Sequence, residues 1–155
     1  MNFFNRILGR RYAAKKHARN LAVHRNQMNQ AAEIVIQESG LDLSAATRRE
    51  RSVLATFFFG ILSAHGMQHK LTPPDLHALC LLVLIDTFKF DETFAALTAD
   101  ECIRAANPGH HDTMHAIIHR GIDAHERLIA GDQKTFRENL QSLLAHFKNV
   151  KDASG

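Results

Sequence analysis

Leu71-Thr72-Pro73-Pro74-Asp75-Leu76-His77-Ala78-Leu79-Cys80-Leu81-Leu82-Val83-Leu84-Ile85 decides the fold class. Thr72 offers a side-chain oxygen that caps a helix. Pro73 stands where a first-turn residue needs no amide partner, and Asp75 complements the positive end of the helix dipole. The helix so opened has no polar face, because Leu76, Ala78, Leu79, Cys80, Leu81, Leu82, Val83, Leu84 and Ile85 cover every helical direction. A helix apolar on all sides is normally enclosed by other helices. The segment 73–89 is therefore expected at the centre of the molecule, ending near Lys89.

The flanking sequence also reads as helix. Its 3 prolines sit in two places, alanine and leucine abound, and alternating β-branched runs are missing. Upstream, a first helix starts at Asn2 or Arg10 and reaches Glu38, with an irregularity at Gly9 and Gly40 as its C-terminal cap. A second starts at Ser44 or Thr47, carries Val53, Leu54, Phe57, Phe58, Ile61 and Leu62, and fades near Gly66. Gly60, in mid-helix, permits a close helix crossing. Downstream, Asp91 or Thr98 opens a fourth segment that ends at Asn107-Pro108-Gly109. A fifth runs from His111 to Ala130 with Gly131 as cap. Asp132 caps a sixth, in which Phe136, Leu140, Leu143, Leu144 and Phe147 step at helical spacing, and the tail Lys151–Gly155 is expected to fray. No internal repeat or low-complexity tract interrupts this pattern. The short connections imply an all-α, single-domain antiparallel bundle of about five to six helices. Residues 1–39 supply a leading basic helix and 44–150 the helical core.

Composition narrows the class further. The chain has 155 residues, 45% hydrophobic and 23% charged, which is the make-up of one globular domain. Its 2 cysteines build no disulfide framework. The longest apolar runs, Val53–Ala64 and Leu76–Ile85, fall short of the roughly 18 residues of a membrane span, so no stable membrane insertion is expected. Met1–Arg11 lacks the continuous apolar stretch and cleavage site of a secretory signal, and a cytoplasmic location is expected.

The net charge of +3 conceals a split. Residues 1–32 hold Arg6, Arg10, Arg11, Lys15, Lys16, Arg19 and Arg25 and no acid. The rest of the chain holds 12 basic and 16 acidic groups, a net −4. Apolar Phe4, Ile7, Leu8, Ala14, Ala18, Leu21, Ala22, Met28 and Ala32 recur in the basic segment at three- and four-residue steps, as on one stripe of a helix. Such a segment suits a membrane surface, a nucleic acid or a transit peptide. The simpler reading is an amphipathic helix packed on the domain with its cations in water. Nucleic acid is the poorer partner because Tyr12 is the sole aromatic among the cations beyond Phe3 and Phe4.

Histidines are the first suspects for chemistry, numbering 11. His111, His115 and His119 stand four apart, as do His65 and His69, and two imidazoles at that spacing can share a zinc or other transition metal. Asp112 or Asp123 could complete such a site. The glutamate of the zinc-protease motif is missing, since Ala116-Ile117-Ile118 separates His115 from His119, and the paired Glu-x-x-His of di-iron bundles is absent. Surface, capping or hydrogen-bonding roles for these histidines are the default, and no metal or other cofactor is expected. Cys80 reads as an inert core thiol. Cys102 follows Asp100-Glu101, whose charges raise its pKa. No nucleophile elbow or glycine-rich phosphate loop occurs, and no catalytic set emerges. Asp86, Asp91, Glu92, Asp100 and Glu101 form an acidic run, either a solvated face or a surface for a basic partner.

Three stretches carry a family resemblance: Phe57–Gly66, Leu71–Leu79 and, most specifically, Asn107-Pro108-Gly109-His110-His111-Asp112-Thr113-Met114-His115-Ala116-Ile117-Ile118-His119-Arg120-Gly121-Ile122-Asp123. Together, across residues 50–147, they resemble the bacterial immunity proteins grouped as immunity family forty-eight, found beside polymorphic toxins. The resemblance implies a small helical protein that binds one cognate toxin, with no enzymatic activity and no cofactor, and it assigns no contact residues. A contact surface is expected where irregular backbone, acids and adjacent histidines coincide. That places it at Asp91, Glu92, Asp100, Glu101, His110, His111 and Asp112. A homodimer is compatible with every reading.

Overall fold

The computed structural model describes residues 3–153, with side chains described for all of these except 3–5, 7, 8, 12 and 149–153. Six helices succeed one another: α1 (Phe3–Ser39), α2 (Arg48–His69), α3 (Pro73–Asp86), α4 (Glu92–Ala105), α5 (Asp112–Ala130) and α6 (Gln133–Ala153). No strand occurs among the described residues.

Local chemistry sets the helix ends. Thr47, not Ser44, opens α2 through a reciprocal pair: its hydroxyl accepts from the Glu50 N–H at 3.1 Å, and its own N–H donates to Glu50 Oε2 at 2.7 Å. Thr72 caps α3 by accepting from the Asp75 N–H at 3.4 Å. Asp91 accepts from the Phe94 N–H at 2.8 Å, so α4 begins there and runs through Thr98. Asp132 accepts from the Thr135 N–H at 3.1 Å ahead of α6. Gly40 and Gly131 end α1 and α5 with φ of 69° and 70°.

Three boundaries differ from the sequence reading. The helix α2 passes Gly66 and stops at His69, capped by Lys70 at φ 54°. Gly66 is interior because the Leu76 side chain lies on it; a Cβ there would sit 2.4 Å from Leu76 Cδ2. The helix α3 ends at Asp86 rather than near Lys89, since the chain turns to bury Phe88 and Phe90 on either side of exposed Lys89. Where fraying was expected from Lys151, α6 continues to Ala153; Ser154 and Gly155 lie outside the described residues.

The central helix is α2, which corrects the expectation for α3. Every residue from Val53 to Leu62 is buried. The helix α2 touches each of the other five, and those five close around it in the order α1, α3, α4, α5, α6 and back to α1. On α3, Leu79, Cys80, Val83 and Leu84 are buried, while Leu76, Leu81 and Ile85 are half-covered. The fully buried Phe57, Phe58, Phe88, Phe136, Leu54, Ile61, Leu62, Leu79, Leu84 and Leu140 form the core. Each contributes about 1.5–3 kcal/mol of transfer free energy.

The closest helix pair is α2 with α5. A Cβ on Gly60 would fall 2.1 Å from the Ile118 carbonyl oxygen, and one on Gly121 would fall 2.1 Å from that of Phe57. The two glycines let backbone lie on backbone, the close crossing expected at Gly60. Phe57 meets Gly121 and His65 meets His125, so these helices run in the same direction. The pairs His17–Asp75 and Arg25–Asp86 show the same for α1 and α3. The antiparallel arrangement expected throughout is found where connections are short. Examples are α3 with α4, joined by His77–Asp100, and α5 with α6, joined by Arg120–Asn139.

The basic helix α1 is seated in its second half alone. The described side chains from Arg6 to Asn20 are all exposed, Leu21 is half-buried, and Met28, Ala31, Ala32 and Val35 are buried. Ala14, Ala18 and Ala22 of the apolar stripe are therefore solvated, whereas Phe4, Ile7, Leu8 and Tyr12 have side chains outside the described set.

Candidate functional site

The seven residues expected to form a contact surface are all exposed, but they do not make one patch. Asp91 caps α4 and, with Arg48, Arg51, Thr93, Phe94 and Leu97, lines a shallow depression at the start of that helix. Asp100 turns toward α3, its Oδ1 3.8 Å from His77 Nε2. Glu101 turns the other way, into a groove shared with Arg49, Thr56, His111 and Phe147. The structure thus brings Glu101 and His111 together and separates them from Asp91 and Glu92. The outer face of α4 also exposes two large apolar side chains, Leu97 at 50% and Ile103 at 39%, on either side of Asp100.

The histidine row on α5 divides by role. His111 caps the helix, its Nδ1 accepting from the Met114 N–H at 3.1 Å. His115 Nδ1 donates to the Ala105 carbonyl at 2.9 Å, which leaves its Nε2 lone pair to accept from His119 Nε2 at 3.0 Å. Asp112 stays exposed beside the cap and Asp123 lies further along the same helix, also exposed. Among the described residues, no three His, Cys, Asp or Glu side chains are placed to hold a metal ion.

A second histidine group was only half visible in the sequence. His65 and His69 of α2 meet His24 of α1 and His125 of α5. His24 Nδ1 and His65 Nε2 are 2.8 Å apart, a hydrogen bond in which one ring donates and the other accepts. Ring centroids are separated by 4.3 Å for His65–His69, 5.0 Å for both His24–His65 and His24–His69, and 6.3 Å for His65–His125. His65 and His125 are buried, His24 is half-buried and His69 is exposed. Burial, followed by the His69, His24 and His125 rings, holds His65 down to about 4. Burial and then His69 lower His24 and His125 as well, against weaker upward pulls that include Asp75 on His24 and Glu126 on His125. The missed signal was phase. His24 falls between Leu21 and Met28 on the buried stripe of α1, and His125 falls four residues after Gly121 on that of α5.

Both cysteines are buried thiols. Burial pushes Cys80 well above its ordinary range. Cys102 is raised to about 12, again first by burial; the Thr56 hydroxyl pulls it down and the Glu101 charge adds an upward push. The acid effect expected for Cys102 is thus present but secondary.

No curated protein and no solved structure matches the chain. The family model described as Immunity protein 48 matches residues 21–148. Its first matched residue, Leu21, is where the side chains of α1 begin to be covered, and its last, Lys148, lies in α6. The match therefore takes in α2 to α5 whole, the second half of α1 and most of α6, and the chain belongs to the immunity protein 48 family.

Proposed function

We propose that this protein binds one cognate toxin and neutralises it by direct protein–protein contact, in the cytoplasm and without catalysing a reaction. Family membership over residues 21–148 carries the reading. The fold supports it: a ring of helices locked by backbone contact between α2 and α5 presents a surface that needs little rearrangement on binding. No helix of the described residues is long and apolar enough to cross a membrane.

The outer face of α4 is the contact surface we favour. Exposed Leu97 and Ile103 supply apolar anchors, and Asp91, Glu92, Asp100 and Glu101 supply a charged rim. His110, His111 and Asp112 extend that rim past the turn after α4. The test is co-expression with the product of the neighbouring reading frame, once that product has been shown to arrest growth when expressed alone. Restored growth and co-purification of the two proteins are expected. Continued killing by the toxin, with this protein soluble and abundant, would overturn the proposal.

A further inference from the structure

We propose that His24, His65, His69 and His125 form an acid-sensitive clasp, which pins the middle of α1 to α2 at neutral pH and opens on acidification. The 2.8 Å contact between His24 Nδ1 and His65 Nε2 is its centre. One nitrogen there must carry a proton and the other must not, so the pair accommodates one added proton and breaks on the second. His69 lies 4.3 and 5.0 Å, ring to ring, from these two, so a charge on it opposes a charge on either. His65 and His125 are also buried, which disfavours their charged forms independently of the neighbours. In the unfolded chain all four titrate near the ordinary histidine value.

The groups facing the cluster do not neutralise it. From α1, the uncharged Gln27 side chain pulls His24 upward, and Arg25 is engaged with Asp86 of α3 at 2.6 Å. From α3, Asp75 exerts the weakest pull on His24 and is held by His17 of α1 at 3.2 Å. From α5, Glu126 raises His125 but is exposed. The His17–Asp75 contact also ties α1 to α3, yet His17 is 61% exposed and screened by solvent.

Position makes the response local. His24 stands at the boundary between the exposed run of α1 and the half anchored by Met28, Ala31, Ala32 and Val35. Losing its hold frees the turns before Arg25, which keeps its bonds to Asp86, and leaves the core around α2 in place.

Hydrogen exchange on the full chain tests this, compared at about pH 7.5 and about pH 5 after correction for intrinsic rates. Protection of amides 21–28 is expected to fall by about tenfold or more at the lower pH, while amides 54–62 lose only what the fall in global stability dictates and stay the better protected. The double variant His24→Leu/His69→Ala is expected to hold its α1 protection constant within about twofold. Unchanged α1 protection in the parent, or an undiminished pH response in the variant, overturns the clasp. Should the variant fail to fold, ring titration of the parent by NMR decides. At least His65 is expected to titrate more than about one unit below an ordinary histidine, and four ordinary titrations overturn the proposal. Stoichiometric uptake of added zinc, lost in the variant, would reassign the cluster as a metal site and equally overturn it.

Discussion

Two residues without side chains carry much of the rigidity. At the α2–α5 crossing, a methyl group on Gly60 meets the Ile118 carbonyl, the Gly121 α-carbon at 2.8 Å and the Ile122 nitrogen at 2.9 Å. Backbone cannot swing aside as a flexible side chain does, so the helices must part. Gly60→Ala is expected to destabilise the fold by about 3 kcal/mol or more, the upper end for overpacking. A urea unfolding midpoint reads it directly. Gly9→Ala is the control: nothing lies within 4 Å of its Cβ position, so the midpoint should hold or rise slightly. A different kind of residue-scale effect belongs to His65. Its folded pKa of about 4 lies below the ordinary 6.5, so the unfolded state binds more protons as the pH falls. Its contribution is complete above about pH 6.5 and is lost between there and about 4. By itself it should remove about 2 kcal/mol of stability between pH 7.5 and pH 5. His65→Gln should flatten the midpoint-against-pH curve over that window, and an unaltered slope would show that His65 is not responsible.

At the scale of elements, the Thr72 cap was legible, the Thr47 and Asp91 caps were each narrowed to one of two positions, and the centre was missed. Thr47-Arg48-Arg49-Glu50, Thr72-Pro73 and Asp91 each act within one helical turn, so local sequence suffices to find or narrow them. Which helix lies innermost depends on five neighbours that converge from distant parts of the chain. The all-round apolarity of α3 suggested enclosure, but α3 needs it because its flanks lean on α1 and α4. The helix α2 opens on charged Arg48, Arg49 and Arg51, whose guanidinium groups lie over Phe94, Phe147 and Phe90. That charged first turn makes α2 less uniformly apolar in sequence than α3, although its stretch Val53–Leu62 is the one enclosed. The same locality explains α1, whose apolar stripe includes Ala14, Ala18 and Ala22 although these side chains are exposed. Deleting residues 1–20 should therefore shift the unfolding free energy by less than about 1 kcal/mol, since the described side chains removed are exposed and the His17–Asp75 pair is a surface one. A truncated chain that no longer folds would show that α1 is held from its start.

For the molecule as a whole, the proposed contact face rests on where charge and exposed apolar side chains lie. The cations of residues 6–19 project on the exposed half of α1, and the acids of residues 91–101 rim α4. Sequence arithmetic found both populations. It could not tell that Asp100 and Glu101, adjacent in the chain, point to different neighbours, because a helix turns about 100° between them. The acidic run is thus a rim around Leu97 and Ile103 rather than a single negative patch. This geometry separates two kinds of mutational effect. Reversing rim charges, as in Asp100→Arg with Glu101→Lys, should slow toxin association and weaken its salt dependence. Truncating an anchor, as in Leu97→Ala, should instead speed dissociation, and a central anchor costs about 1–2 kcal/mol or more, roughly a tenfold loss of affinity. Lys15→Glu with Lys16→Glu, on the solvated half of α1, should leave both rates unchanged. Surface plasmon resonance with the cognate toxin at two salt concentrations distinguishes the three. Binding indifferent to the α4 variants but lost with the α1 pair would move the interface to the basic helix, since no fold-level contact of Lys15 or Lys16 could otherwise explain that loss.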